Sequence, residues 1–97
     1  MKDTIKKKKS VYYWLRVIHD MSQEEVAEKL LISKSYVRML EAGDKAPSKR
    51  LLLAYSELFG IDKSVIEEMD ALDKNIPTKQ FLLRLFNAME TDKQNRK

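Results

Sequence analysis

Cysteine is absent from the chain, and its absence excludes disulfides, thiolate metal sites and cysteine nucleophiles together. Glycine and proline occur only twice each, which leaves no phosphate-cradling glycine loop and no nucleophile elbow. No apolar run approaches the roughly 20 residues that span a bilayer. The basic residues 1–9 are followed by no apolar stretch and no small-residue cleavage site, so a signal peptide is not expected. A cytoplasmic protein fits these absences.

Groups that could carry out chemistry are equally sparse. The single histidine, His19, has no cysteine or second histidine to share a metal with, so a surface position is expected. Glu24, Glu25 and Glu28 lie at helical spacing with Lys29, which is typical of a solvated helix face and not of an acid–base pair. We therefore expect no enzyme, no metal and no cofactor.

The residues that are present suit one small folded domain with a positive charge. Hydrophobic residues make up 43% of the 97 residues and charged residues 35%, enough for a modest core under a soluble surface. The net charge is +4, and residues 1–20 carry six bases against two acids, whereas residues 61–75 carry two against five. Basic residues at the start could screen phosphates. Lys6–Lys9 are compatible with a DNA-contacting arm and equally with a solvated tail.

Apolar residues recur at helical spacing along the chain, and no alternating strand pattern of useful length is present. Helix-capping side chains stand before six such segments, at Ser10, Ser22, Ser33, Ser48, Asp62 and Thr78. Gly43 and Gly60 end two of the segments, and Pro77 opens the last. The last eight or so residues are polar, and we expect them to fray. The sequence predicts an all-α fold.

The segment at residues 22–43 carries the most specific spacing. Ser22 and Glu25, three residues later, predict a capping box, and Ser33 caps the next helix after a short turn. Two short helices joined in this way must cross steeply. That is the helix-turn-helix arrangement, in which the second helix presents its first turn to the DNA major groove. Ala27 supplies the small side chain that lets the two helices approach closely.

Apolar, capping, arginine, glutamate and glycine positions agree with one known pattern over about residues 10–66. They include Leu15-Arg16, Ser22–Leu30, Ile32–Val37, Leu40–Gly43, Pro47-Ser48 and Phe59–Ile61. In these residues, with ungapped spacing through the motif, the chain resembles the Cro and phage-repressor (XRE-type) helix-turn-helix family. The resemblance implies a five-helix lambda-repressor-like DNA-binding domain at 10–74. A basic arm at 1–9 precedes it, and an added C-terminal helix with a polar tail at 75–97 follows.

The resemblance also implies roles for individual residues. Gln23 occupies the place of a glutamine that holds a backbone phosphate, helped by N–H groups at the start of its helix. The residues implied to read bases are Ser33, Lys34, Ser35, Tyr36 and Met39. Those implied to contact further phosphates are Arg38, Lys45, Lys49 and Arg50.

Three of these residues could also occupy their positions for reasons that do not involve DNA. Ser33 is a cap in any case, Tyr36 could pack on the preceding helix, and Met39 could be merely exposed. For Gln23 and Lys34 the sequence suggests no structural role, which strengthens their assignment to DNA.

Arg16 and Glu41 resemble the family's buried ion pair between the first and third helices, a structural role in which neither side chain contacts DNA. The chain departs from the family pattern at Leu31, where a turn glycine is usual, at Ser56, often alanine, and at Ala42, commonly polar. Leu31 is strained if its position needs a positive φ. With Leu30 and Ile32, it is otherwise expected to pack beneath the helix crossing.

The sixth helix exceeds the family's five-helix core. Its apolar stripe is broad for so small a domain and comprises Phe81, Leu82, Leu85, Phe86 and Met89. The stripe would either complete the monomer's core or form a homodimer interface that sets the half-site spacing of a two-fold operator. We favour the dimer.

These observations predict a regulator of transcription that binds double-stranded DNA sequence-specifically, a repressor acting as a homodimer. The alternative is an interaction module of the same fold, such as an antitoxin that binds a protein partner. Gln23, Lys34 and the basic residues between Lys45 and Arg50 lie on one face of the expected fold, and this favours DNA.

Overall fold

The computed structural model describes residues 9–72 and 76–95, with side chains as far as Glu90. Within this part of the chain every regular element is an α-helix, which confirms the all-α prediction. None of the described helices is long and apolar enough to cross a membrane. The helices are α1 (Val11–Ile18), α2 (Gln23–Leu30), α3 (Lys34–Ala42), α4 (Lys49–Phe59), α5 (Lys63–Asp70) and α6 (Thr78–Asn95).

Serine side chains fix where the first four helices begin. Each accepts a hydrogen bond from the backbone N–H three residues later, at 3.4, 3.0, 3.0 and 3.1 Å for Ser10, Ser22, Ser33 and Ser48. The carboxylate of Glu25 accepts the N–H of Ser22 at 2.8 Å, which completes the predicted capping box. Asp62 caps α5 through the N–H of Ser64. The predicted starts of these five helices are confirmed.

Glycines with a left-handed backbone end α3 and α4, as the sequence indicates. Gly43 after α3 and Gly60 after α4 have φ of +83° and +66°, a region that glycine enters without steric cost. Ser56, one of the departures from the family pattern, donates its hydroxyl hydrogen to the carbonyl of Ile61 at 2.5 Å. Its hydroxyl therefore ties the end of α4 to the chain that leaves it.

The core is formed by one face of each helix. Its buried apolar side chains are Val11, Tyr12, Leu15, Val26, Ala27, Val37, Leu40, Leu51, Leu52, Tyr55, Phe59, Ile61, Ile66, Met69 and Leu85. The helical spacing predicted most of them. It missed Ile61 and Tyr12. The ring of Tyr12 meets that of Tyr55 edge-on with centroids 5.1 Å apart. Burial raises the pKa of both phenols, so both rings stay neutral over the physiological range.

The turn between α2 and α3 contradicts one expectation. Leu30 and Ile32 pack against the core, but Leu31 is 90% exposed and has φ of +60°. The left-handed backbone that the turn requires points this side chain into solvent, so it cannot pack beneath the crossing. The family's glycine at this position relieves a strain that leucine has to bear.

Helix α6 also differs from the expectation in two respects. It begins at Thr78 itself, with the carbonyl of Pro77 accepting the N–H of Phe81 at 3.0 Å, so Thr78 is not the cap. It continues to Asn95, whereas fraying was expected over the last eight or so residues. Leu85 is wholly buried, and Phe81 and Met89 pack beside it against the core.

We predict that Leu31→Gly stabilises the protein by about 0.5–1 kcal/mol. The change removes the cost of a branched side chain at positive φ, roughly 1–2 kcal/mol, and adds part of the entropic cost of glycine. Thermal unfolding followed by circular dichroism measures the difference. Asp20→Gly is the matched control, because Asp20 has φ of +58° but aspartate tolerates this region better. No gain or a loss for Leu31→Gly would contradict the strain at Leu31, and an equal gain for both variants would show that leucine is no more strained in this region than aspartate.

Candidate nucleic-acid interface

Burial on one side of α3 determines which of its residues face outward. Val37 and Leu40 are wholly buried against the core. The first turn of α3 therefore projects away from the protein, and Ser33, Lys34 and Ser35 are exposed there. An exposed first turn on the second helix of such a pair can enter the DNA major groove.

A buried ion pair holds α3 in this orientation. Arg16 of α1 donates to Glu41 of α3 through Nε at 2.5 Å and through Nη2 at 3.1 Å, and its Nη1 donates to the carbonyl of Met21 at 3.0 Å. The Arg16 and Glu41 side chains are only 14% and 6% exposed. The hydrogen bond to Glu41 raises the pKa of Arg16 further, so the guanidinium stays charged. The predicted ion pair is present.

Gln23 has a structural partner that sequence reasoning missed. Its Nε2 donates to Glu41 Oε1 at 3.1 Å, so α2 joins the same network. A side-chain amide has two N–H groups, and one remains for a phosphate oxygen. The capping box binds the N–H groups of Ser22 and Glu25 and leaves those of Gln23 and Glu24 outside the helical ladder. The start of α2 is thus suited to an anion, and Glu41 orients Gln23 there.

An open groove of about 660 Å³ runs beside this network. The structure brings together four predicted DNA-contact residues along it, namely Gln23, Ser35, Arg38 and Met39. The remaining lining includes Lys9 and Tyr13, together with Glu41, Ala42 and Asp44.

Tyr13 was missed by sequence reasoning. Its ring lies 4.9 Å from Lys9 Nζ and 5.3 Å from the Arg16 guanidinium, in the geometry of cation–π contacts. One sequence feature could have indicated that Tyr13 lies here: it stands three residues before Arg16, on the side of α1 away from Leu15. Lys6–Lys8 lie outside the described residues.

The remaining residues predicted to read bases, Ser33, Lys34 and Tyr36, are not part of the groove lining. Lys34 is exposed and makes a surface ion pair with Glu24, with 3.7 Å between Nζ and Oε2. Such a pair contributes little, so Lys34 can exchange it for a base at low cost. Tyr36 is half-buried and packs against the core, and Ser33 serves as the cap of α3.

The predicted phosphate contacts beyond the groove are also exposed. Lys45 lies in the loop after α3, and Lys49 and Arg50 form the first turn of α4. Lys45 thus places positive charge at the end of α3 opposite its exposed first turn. Among the described residues no histidine, aspartate and glutamate cluster could hold a metal ion.

The comparisons with known proteins agree with this geometry. The profile of the family described as Helix-turn-helix matches residues 13–66, more than half of the chain. An uncharacterized HTH-type transcriptional regulator of Methanocaldococcus jannaschii is 34% identical over 55 residues, which cover 57% of this chain and 80% of the relative. No solved structure matches at a significant level.

We predict that Arg16 and Glu41 are strongly coupled in stability. Either Arg16→Met or Glu41→Leu alone leaves a buried charge without its partner, at a cost of roughly 3–5 kcal/mol. The double variant replaces the pair by apolar side chains and should lose much less than the two singles summed. Urea unfolding of the four proteins measures the coupling.

The surface pair of Lys34 and Glu24 supplies the matched control for this cycle. Its coupling in the cycle of Lys34→Ala and Glu24→Ala should be about 0–0.5 kcal/mol, because both side chains are exposed. Additive losses in the Arg16 and Glu41 cycle would show that the two side chains are not paired.

Proposed function

This chain belongs to the helix-turn-helix family, and we propose that it is a transcriptional repressor that binds a two-fold DNA operator as a homodimer. Membership places it among DNA-binding regulators and not among enzymes. The relative from Methanocaldococcus jannaschii carries the description of a transcriptional regulator, which supports the same role here. Such a protein would act on the nucleoid and would therefore be located in the cytoplasm.

The exposed first turn of α3 carries the proposal. Lys34 and Ser35 project from it while Val37 and Leu40 bury the opposite side. A lysine there can donate to O6 and N7 of guanine, and a serine hydroxyl can donate to or accept from either base edge. Met39, one turn further along the groove, can touch a thymine methyl group. Ser33 and Tyr36 would contribute from the same turn.

Phosphate contacts would surround this turn on both sides. Gln23 and the N–H groups at the start of α2 suit one phosphate, and Arg38, which lines the groove beside Gln23, suits another. Lys45, Lys49 and Arg50 would hold the backbone beyond the other end of α3. Phosphate contacts of this kind position the protein, and the first turn of α3 supplies the specificity.

The homodimer would form through the C-terminal segment at 75–97, to which α6 belongs. Of its predicted stripe, Leu85 is wholly buried inside the monomer, and Phe81 and Met89 pack on the core, so these three complete the monomer. Phe86 is exposed and Leu82 half-buried, and they remain for a partner. A dimer is expected to raise affinity because the second recognition helix binds at high effective concentration.

Selection of bound duplexes from a random DNA pool tests the proposal, and an enriched two-fold sequence is the expected result. On that sequence Lys34→Ala should cost roughly 1–3 kcal/mol of binding free energy and relax the preference at one base position. Glu28→Ala is the control, because Glu28 is exposed on the last turn of α2. Equal weakening on all sequences would make Lys34 a phosphate contact.

Binding should also weaken steeply with salt. A dimer that neutralises on the order of 6 phosphates is expected to lose more than tenfold in affinity between about 50 and 200 mM salt, because counterions are released. Fluorescence anisotropy over this range measures the slope. An affinity that does not change with salt would contradict the phosphate contacts assigned to Gln23, Arg38 and the basic residues of α4.

A further inference from the structure

One line of residues on α6 faces away from the core. It consists of Lys79, Leu83, Phe86 and Glu90, all exposed, and we call it the outer stripe. At 100° per residue these four positions fall within about 60° of one another. Phe81, Leu85 and Met89, which pack on the core, lie on a different side of the helix. Leu83 was not part of the stripe predicted from the sequence.

The outer stripe has the spacing of a helix–helix seam. Its members follow one another at intervals of four, three and four residues, the alternation that a two-helix seam uses. Leu83 and Phe86 at its centre are 59% and 46% exposed. A contiguous patch of exposed apolar side chains is typical of an interaction surface.

The order of residues along the outer stripe indicates which partner fits. If a second α6 is laid across it antiparallel about a two-fold axis, Leu83 faces the partner's Phe86 and Phe86 faces the partner's Leu83. The same axis sets Lys79 opposite the partner's Glu90, and Glu90 opposite the partner's Lys79. Apolar side chains then meet at the centre, and opposite charges meet at both ends.

A parallel arrangement would be much poorer. It would set Lys79 against the partner's Lys79 and Glu90 against the partner's Glu90, and like charges across a seam are unfavourable. Within the described side chains Lys79 and Glu90 form no ion pair of their own. The charge pattern of the outer stripe is therefore self-complementary in the antiparallel sense alone.

We propose that a second copy of this chain docks on the outer stripe, antiparallel and two-fold, with Lys79 paired to Glu90 of the partner subunit. The inference rests on the homodimer of the proposed function and deepens it by assigning its face and direction. Two-fold contacts are self-complementary by necessity. Phe86 takes part as the sequence predicted, Leu83 joins it, and Leu82 lies at the margin.

Charge exchange at the two ends tests the direction. Lys79→Glu makes both ends of the outer stripe acidic, and Glu90→Lys makes both ends basic. Each variant alone should dimerise about tenfold more weakly than the natural chain at low salt, because attraction becomes repulsion twice in every dimer. An equimolar mixture of the two should form a heterodimer with about the natural affinity. Sedimentation velocity without DNA measures all four samples.

Two further variants complete the design. Arg84→Glu is the matched control, because Arg84 is exposed on α6 but lies about 100° or more around the helix from the outer stripe. It should leave dimerisation unchanged. Phe86→Asp should abolish dimerisation while circular dichroism shows that the helices persist, since Phe86 is exposed in the monomer.

The outcomes separate this inference from the proposed function. A natural chain that stays monomeric at about 100 μM, a dimer indifferent to both charge variants, or a mixture that fails to recover would each overturn the outer stripe as the dimer face. Binding of the monomeric variants to a single half-site duplex is measured separately. If dimerisation responds as expected but no variant binds DNA, the proposed function fails and the interface stands.

Discussion

The ion pair between Arg16 and Glu41 sets the relative orientation of the helices that form the proposed DNA-binding surface. It joins α1 to α3 across the protein, and Gln23 extends it to α2. Removing two charges from water is costly, and only close, bidentate geometry with further hydrogen bonds compensates for it. Arg16 meets that requirement with two bonds to Glu41 and one to the Met21 carbonyl. The apolar core supplies the stability, and the pair fixes how the three helices are oriented.

The same network connects the core to the surface proposed to meet DNA. Gln23 uses one N–H on Glu41 and keeps another for phosphate, so its position at the start of α2 is set before any DNA arrives. Tyr13, which lies over the Arg16 guanidinium, borders the groove shared by Ser35, Arg38 and Met39. A side chain that is already oriented loses less conformational entropy on binding. The structural role of Gln23 is therefore compatible with the phosphate contact proposed for it.

Helix α6 shows how one helix can serve two purposes. The side with Leu85 completes the core of the monomer, and the outer stripe offers Leu83 and Phe86 to a partner. An interface made by four residues of one helix from each subunit is small compared with most protein–protein interfaces. Weak association in solution, strengthened when two recognition helices bind one operator, would make occupancy depend steeply on protein concentration.

Features that depend on local chemistry could be predicted from the residues alone. Serine caps, the capping box of Ser22 and Glu25, and the left-handed glycines Gly43 and Gly60 act within one helical turn, so their positions can be read directly and the structure has them where expected. Helical periodicity gave most of the core for the same reason. The resemblance to the family supplied the pairing of Arg16 with Glu41, which lie too far apart in sequence for any periodicity to reveal.

Which apolar and polar side chains find partners depends, in contrast, on how the helices pack together. Leu31 and Leu85 are the same residue type, yet the first is 90% exposed and the second wholly buried. A positive φ turns Leu31 outward, whereas the packing of α6 against α5 brings Leu85 into the core. The hydrogen bond of Gln23 to Glu41 likewise joins different helices, α2 and α3. Such contacts depend on how helices pack, and packing is a property of the whole fold and not of any segment.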